Sequence, residues 1–353
     1  MIYFDNAATT LPCAVTKVFY NPSSPHALGI QSERALRDAR KKVALSLGSS
    51  TPEEVIFTSG GTESNNLAIL GFTLANHKHG VSLASAPYEH PSILAPSRFA
   101  KERGWATEGS NKTTLVSLSH VNHETGDIND INAMSANIKK DNPLAIIHVD
   151  GAQGFCKEPL NLHGIDMYSF SGHKCHGAVG VGGLWVKKGI RLVSLQHGGG
   201  QEGNLRSGTE NVAGIVHMAE AVGALSRDMQ ANHAHVAKIK SAILCLQDML
   251  PDVCVNNLSC NVSPYILNMS FLGLKGEIIV HALSEKGVYV SMGAACNSRK
   301  RAPSTLELMG FSPEIAQSAV RFSFSSRNSL AEAEQACQIV IDTVQQLRKV
   351  IRK

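Results

Sequence analysis

At 353 residues, with 43% apolar and 18% charged side chains, the chain is long enough for two domains of ordinary globular composition. Its apolar runs are strand-sized, which leaves no candidate for a membrane-spanning helix, and a formal charge of +4 without a dominant basic block gives nucleic acid no footing. Residues 1–10 lack the basic start and apolar stretch of a signal peptide, so a cytoplasmic location is expected. Eight cysteines without a Cys-x-x-Cys pair read as reduced thiols, not as a disulfide framework or a zinc module. His120/His123 and His173/His176 are each three apart, but they fall in glycine-containing loops with no cluster of carboxylates, so no metal site is expected.

Residues 1–30 read as an extended lead-in rich in Pro, Ser and Asn. The first helix is expected over 31–47, where Leu36, Ala39, Val43 and Leu47 share a face and Gly48 follows as a stop. Thr51-Pro52-Glu53-Glu54 has a capping residue followed by proline, which suits one helical turn. A strand over 55–58 then runs into Ser59-Gly60-Gly61-Thr62-Glu63 and an apolar helix to about residue 74. The alternation continues with strand 81–85, helix 91–101, strand 114–119, helix 129–140 and strand 145–150. Apolar runs at 167–170 and 183–186 are short enough to be neighbouring strands. Strands alternating with helices imply a mainly parallel sheet covered by helices, with ligands gathered at the carboxyl ends of the strands. After a glycine-rich loop at 197–208, a helix over 211–229 leads into mixed helices and strands, including 266–270 and 288–291, as a smaller α+β domain. The capping box Ser329-Leu330-Ala331-Glu332 opens a last helix whose apolar seam contains Cys337, a core position.

Two residues at strand ends carry the chemistry. Asp150 closes the apolar run Ile146-Ile147-His148-Val149, and Lys174 closes Ser169-Phe170-Ser171-Gly172-His173. Pyridoxal phosphate needs an amine for its Schiff base and an acid to keep its pyridine nitrogen protonated, and Lys174 and Asp150 supply that pair. An aspartate after a buried strand is common in α/β proteins, and a lysine in a glycine-flanked loop is usually only solvated. The pair gains force from the 59–62 turn, which joins a strand to a helix N-terminus where free N–H groups and the helix dipole favour an anion. There Gly61 lets the backbone approach closely and Thr62 adds a hydroxyl, while Ser171 and His173 form a second set of donors. A phosphate site, a ring-nitrogen partner and a Schiff-base lysine thus share one sheet edge.

The chain resembles the NifS/IscS-type cysteine desulfurases, class V enzymes of the fold-type I pyridoxal-phosphate group. The likeness runs nearly end to end, through Tyr3-Phe4-Asp5-Asn6-Ala7-Ala8-Thr9-Thr10, Asn21-Pro22-Ser23-Ser24, residues 57–66, Glu89-His90-Pro91, His148-Val149-Asp150, Ser169-Phe170-Ser171-Gly172-His173-Lys174, Arg206-Ser207-Gly208-Thr209 and Arg321-Phe322-Ser323. It implies an α/β fold with a large cofactor-binding domain over 14–228, and a smaller domain from 1–13 and 229–353 that carries a nucleophile loop. It implies that His90 stacks on the pyridine ring, that Gln153 donates to the ring hydroxyl, and that Gly61, Thr62, Ser171 and His173 hold the phosphate. Thr209 would join them across a homodimer interface. Arg321 would clamp the substrate carboxylate with its planar fork. Cys296, in Ser291-Met292-Gly293-Ala294-Ala295-Cys296-Asn297-Ser298, matches the nucleophile on a mobile loop, followed by Arg299, Lys300 and Arg301. Cys175, beside Lys174, reads as a packing residue.

The reaction implied by the resemblance turns L-cysteine into L-alanine and leaves a persulfide on Cys296. The sulfur then passes to an acceptor such as an iron-sulfur scaffold or a tRNA-thiolation protein. The chain departs from the family where Asn-Asn-Glu becomes Asn122-His123-Glu124, so His123 replaces an asparagine that helps hold cofactor and substrate. Segments 11–20 and 98–113 are also shorter than usual. Selenocysteine lyase, an aminotransferase on the same scaffold and a catalytically impaired family member stand as alternatives.

Overall fold

The computed structural model describes residues 1–10, 20–107, 113–292 and 303–351. In chain order the strands are β1 (Ile2–Tyr3), β2 (Val55–Thr58), β3 (Val81–Ser85), β4 (Thr113–Ser119), β5 (Ile146–Asp150), β6 (Met167–Ser171), β7 (Gly182–Val186), β8 (Val253–Val255), β9 (Ile266–Phe271), β10 (Val288–Tyr289), β11 (Ser291–Met292) and β12 (Ala319–Ser323). Two compact units form. One consists of Met1–Thr10, Val121–Ile128 and the described residues from Met229 onward; the other consists of the described residues of Leu11–His120 together with Asn129–Asp228. Val121–Ile128, which bridges to itself at Val121 and Ile128, goes with the chain's two ends, although the span expected for the large domain, 14–228, runs through it.

The unit holding residues 20–120 is built on a six-stranded sheet in the order β2-β7-β6-β5-β4-β3. Strands β3 to β6 are parallel, and β7 runs antiparallel to both β6 and β2. A parallel pair needs a long crossover while an antiparallel one needs only a short return, and the chain follows that rule. Helices α1 (Ala27–Ser46), α2 (Gly61–Asn66) and α3 (Phe72–Asn76) precede β3; α4 (Pro91–Glu102) joins β3 to β4, and α5 (Ile131–Asp141) lies between β4 and β5. A turn over 172–181 then suffices between β6 and β7. Every residue of β6 and β7 is buried, as expected for strands covered on both faces. On one face Leu36 and Val43 of α1, with Leu47 just past its end, meet Ile215, Met218 and Val222 of α6 (Val212–Arg227) over Val149 and Phe170. On the other, Leu67, Ile69, Phe72 and Ile93 cover Leu83, Leu115 and Leu184. Each large apolar side chain buried in this way contributes on the order of 1.5–3 kcal/mol.

The first helix starts at Ala27, earlier than the periodicity suggests. Its cap is the His26 imidazole, whose Nδ1 accepts from Gly29 N at 3.1 Å, a residue type that a search for Ser, Thr, Asp or Asn caps passes over. Gly182 in β7 explains how the 59–62 turn lies against the sheet. A Cβ there would fall 2.6 Å from Gly60 Cα and from the Phe170 carbonyl oxygen, so only glycine admits the turn.

The other unit holds an antiparallel sheet in the order β11-β12-β9-β8 and a parallel pair, β1 with β10. The strand expected over 288–291 is therefore two strands serving different sheets. Helices α7 (Met229–Leu244), α8 (Leu246–Met249), α9 (Gly276–Glu285), α10 (Thr305–Leu308), α11 (Pro313–Gln317) and α12 (Leu330–Ile351) complete it. The core of this unit joins Val236, Ile239 and Ile243 of α7 to Val340 and Val344 of α12 and to Leu267, Phe271 and Phe322 of the sheet. The expected capping box closes reciprocally, Ser329 N on Glu332 at 2.8 Å and Glu332 N on Ser329 Oγ at 3.1 Å. Cys337 is buried in the seam with its Sγ 3.2 Å from that of Cys245. Among the described residues no helix is long and apolar enough to cross a membrane.

Candidate active site

Strands β2, β4, β5 and β6 run in one direction, so their carboxyl ends gather at one edge of the sheet, where α/β proteins bind ligands. Asp150 ends β5 there and is buried. Its Oδ2 accepts from Asn65 Nδ2 at 2.8 Å and its Oδ1 from Ala152 N at 3.0 Å. The turn after it depends on Gly151, because a Cβ at that position would lie 2.0 Å from the Tyr168 ring. Gln153 follows, also buried. Two residues before Asp150, His148 is fully enclosed between Ser117 Oγ at 3.1 Å and Ser169 Oγ at 2.8 Å. Burial pushes it down to about 4, so the imidazole behind Asp150 is neutral at pH 7.

At the end of β2, Gly61 opens α2 within van der Waals reach of Ser171 and Ala152: a Cβ on it would sit 3.6 and 3.8 Å from theirs. The turn is held by Glu63, whose Oε2 accepts from Ser59 N at 2.8 Å and whose Oε1 accepts from Arg206 Nε at 3.0 Å. Burial opposes ionisation of this carboxyl, yet the Ser59 hydrogen bonds and the Arg206 guanidinium hold it below its ordinary value. Thr62 is exposed and Ser171 buried. Lys174 and His173 lie in the single turn Gly172–Lys174 directly after β6. Burial and the charges of Lys174 and Lys157 lower His173.

His90 caps α4, its Nδ1 accepting from Ser92 N at 3.1 Å. Burial lowers its pKa, and among nearby charges Asp150 raises it while Lys174 lowers it. The two residues marked out by sequence as ring-nitrogen partner and Schiff-base amine thus both act on the imidazole expected to stack on the ring. A cavity of about 440 Å³ opens beside it, lined by Thr62, Asn66, His90, Pro91 and Phe99. Thr209 is exposed, on a loop tied down by Gln196 Nε2 to Ser207 O at 2.8 Å, by Gly208 N to Gln201 Oε1 at 2.9 Å, and by the ion pair Arg40–Glu202 at 2.6 Å.

In the other unit Arg321 lies in the middle of β12, buried. Nη1 donates to the His123 main-chain oxygen at 2.7 Å, and the carboxylates of Asp5 and Glu124 stand 3.5 and 3.6 Å away. Its Nε has no hydrogen-bond partner among the described residues. The His123 imidazole lies 3.7 Å from Glu124. Burial raises Asp5, and the Arg321 charge partly offsets that rise. Cys296 lies outside the described residues. Cys175 is fully buried, its thiol donating to Phe155 O at 3.3 Å and pushed up by burial to about 11, so it is inert.

Sequence reasoning singled out neither Asn65, Ser92 and Glu89 around Asp150 and His90, nor Asp5 and Glu124 around Arg321. The one local signal was composition: Asn65 and Asn66 close the polar stretch Thr62-Glu63-Ser64-Asn65-Asn66 just before the apolar run from Leu67. The donors present fit pyridoxal phosphate. An acid with open lone pairs, an amine, a neutral imidazole and a glycine turn with hydroxyls beside it match a protonated pyridine, an aldehyde, an aromatic face and a phosphate in turn.

A family model for aminotransferase class-V matches residues 2–107 and 106–335. The chain is 38% identical to a NifS/IcsS protein homolog of Lactobacillus delbrueckii subsp. bulgaricus, with 99% of each chain covered. It is 32% identical to a cysteine desulfurase IscS of Dictyoglomus turgidum, over 99% of this chain and 96% of that one. A solved NifS-like protein shares the fold with a TM-score of 0.90 at 30% identity, covering 98% of this chain and 99% of its own.

Proposed function

The chain belongs to the class V aminotransferase family, among its cysteine desulfurases, and from that membership we propose that it converts L-cysteine to L-alanine and takes the sulfur as a persulfide on Cys296. Enzymes of this family work with pyridoxal phosphate and hand sulfur to acceptor proteins. The observation that carries the reading is the gathering of Asp150, at the end of β5, and Lys174, in the turn after β6, at one sheet edge where the Gly61 turn lies against Ser171. The cofactor, when bound, supplies the electron sink that lets bonds around the substrate carbon break.

The chain's own residues do the rest. Lys174 would hold the cofactor through its amine and, once free of it, would carry the α-proton. Asp150 would accept from the ring nitrogen and favour its protonated form. His90 would lie against the ring, Gln153 would donate to the ring hydroxyl, and Gly61, Thr62, Ser171 and His173 would take the phosphate with Thr209 of a second copy. Arg321, whose buried Nε has no hydrogen-bond partner among the described residues, would receive the substrate carboxylate beside His123. The Cys296 thiolate attacks the substrate sulfur; a sulfur–sulfur bond forms, the carbon–sulfur bond breaks, and the carbon keeps the electron pair and is protonated to give alanine. On this reading the protein is a homodimer working in the cytoplasm, where its thiols stay reduced, and its acceptor is an iron-sulfur scaffold or a tRNA-thiolation protein.

The test is direct. Purified protein supplied with pyridoxal phosphate should show a lysine-linked absorbance band, and borohydride should fix the label on Lys174. Adding L-cysteine should yield alanine and a persulfide on Cys296. A protein that takes up no cofactor, or that turns over cysteine to a keto acid without sulfur transfer, sinks the reading.

A further inference from the structure

Three side chains lie in series behind Asp150, and the direction of each hydrogen bond is forced. An ionised carboxylate only accepts, so it is the nitrogen of the Asn65 amide, not the oxygen, that faces Asp150 Oδ2 at 2.8 Å. The same nitrogen's second N–H reaches Ser92 Oγ, also at 2.8 Å. Ser92's own hydrogen is thereby sent to its other neighbour, His90 Nδ1, at 2.7 Å. The main-chain N–H of Ser92 donates to that nitrogen too, at 3.1 Å. Nδ1 therefore accepts, and the ring proton sits on Nε2.

The helix start makes this arrangement possible. Pro91, at the first position of α4, has no N–H, so Ser92 brings the first main-chain donor of the helix and a hydroxyl to the same nitrogen. Asn65 sits in α2, just before the π turn Leu67–Gly71, and π turns recur at functional sites. Its oxygen shows what the amide is not there for. Asn65 is 1% exposed, and its Oδ1 has no hydrogen-bond partner among the described residues. A buried acceptor left unmet is destabilising, so the residue breaks a packing rule at the place where function is expected to break one.

We propose that Asn65 and Ser92 are positioning residues of the cofactor site, tying the Asp150 carboxylate to the His90 imidazole and holding that ring in its Nε2–H form. This rests on the reading in which Asp150 holds the ring nitrogen and His90 stacks on the ring. Asn65 keeps a donor on the Asp150 carboxylate, and through Ser92 it fixes the face and tautomer of the His90 ring.

The experiment follows His90 by nuclear magnetic resonance in protein with ¹⁵N-labelled histidine, with and without pyridoxal phosphate, alongside the absorbance of the lysine-linked band against pH. The charged groups acting on His90, Asp150 and Lys174, stay unchanged in every variant. In the wild type the proton should be on Nε2. Ser92→Ala removes a donor to the neutral ring, so the His90 midpoint should rise by about 0.5–1 pH unit; Ser92→Thr, which keeps the hydroxyl, should return it. Asn65→Ala should move the titration of the absorbance band, and Ser92→Thr should not. If Asn65→Ala fails to fold, the Ser92→Ala and Ser92→Thr pair decides alone. A proton on Nδ1, or a Ser92→Ala midpoint equal to the wild type, overturns the proposal. A wild type that takes up no pyridoxal phosphate while Ser92→Ala still shifts His90 ends the cofactor reading and supports the relay.

Discussion

Arg321 donates to the main-chain oxygen of His123 at 2.7 Å, so the residue expected to stand in place of the family's asparagine holds the arginine through its backbone. That bond is made by the main chain and not by the side chain at 123. Asp5 and Glu124 flank the guanidinium at 3.5 and 3.6 Å, and Nε has no hydrogen-bond partner among the described residues.

A pair of substitutions follows from this. His123→Asn keeps the carbonyl and exchanges one hydrogen-bonding side chain for another, so KM for L-cysteine should stay within about fivefold. Arg321→Lys keeps the charge but loses the two-point fork, and should raise KM by roughly 10- to 100-fold. Steady-state kinetics check both. Equal effects from the two changes would mean that Arg321 does not meet the carboxylate.

The candidate site was legible where its residues are local in sequence. The 59–62 turn, Asp150 and Lys174 each sit at a strand end, and strand ends show as apolar runs meeting glycine. What escaped was contact across sequence. Asn65 and Asp150 are 85 positions apart, and nothing near either residue announces the other. The neighbours of Arg321 come from residues 5 and 124, on separate segments of the chain. In the fold, the helix start at Ala27 escaped because a histidine caps it, and the run at 288–291 escaped because one apolar stretch serves two sheets.

Cys296 belongs to residues outside the described structure, and its prediction comes from the sequence alone. Cys296→Ala alters none of the groups expected to hold the cofactor or the substrate. It should take up pyridoxal phosphate as the wild type does and change its spectrum on adding L-cysteine. Sulfur transfer should fall by several orders of magnitude, the usual effect of removing a covalent nucleophile. Alanine and sulfide released at the wild-type rate would mark a lyase.

Thr209 is exposed on a loop pinned by Glu63, Glu202 and Gln201, which suits a hydroxyl offered to a second copy. Mixing a Lys174→Ala protomer with a Thr209→Ala protomer tests that. In the mixed dimer one site lacks both groups and the other lacks neither, so half of the sites should bind cofactor with wild-type affinity. Sedimentation showing a cofactor-loaded monomer would end the idea.

Glu89 gives a prediction about stability against pH. It is 6% exposed and accepts from Ser119 N at 3.1 Å and Ser119 Oγ at 3.4 Å. Burial, with the Asp150 charge second, pushes its carboxyl up from 4.5 to about 7. Between those values the folded protein holds a proton that the unfolded chain has released. The contribution to stability is therefore fully present below the unfolded value, is lost as pH rises through about 7, and changes little beyond. Its size is at most on the order of 3 kcal/mol. His120 and His148, each pushed down by burial to about 4, work the other way: below 6.5 the unfolded chain binds protons the folded one refuses, so stability falls as pH drops toward 4. Both histidines remain in Glu89→Gln, so they cancel in a comparison with the wild type. The variant keeps the shape and stays neutral, and at pH 8 it should gain on the wild type by roughly 1–3 kcal/mol relative to their difference at pH 5. Urea unfolding of the cofactor-free proteins at one fixed concentration, at pH 5, 6, 7 and 8, measures that difference. A gap of the same size at pH 5 and pH 8 would show that Glu89 does not hold its proton in the fold.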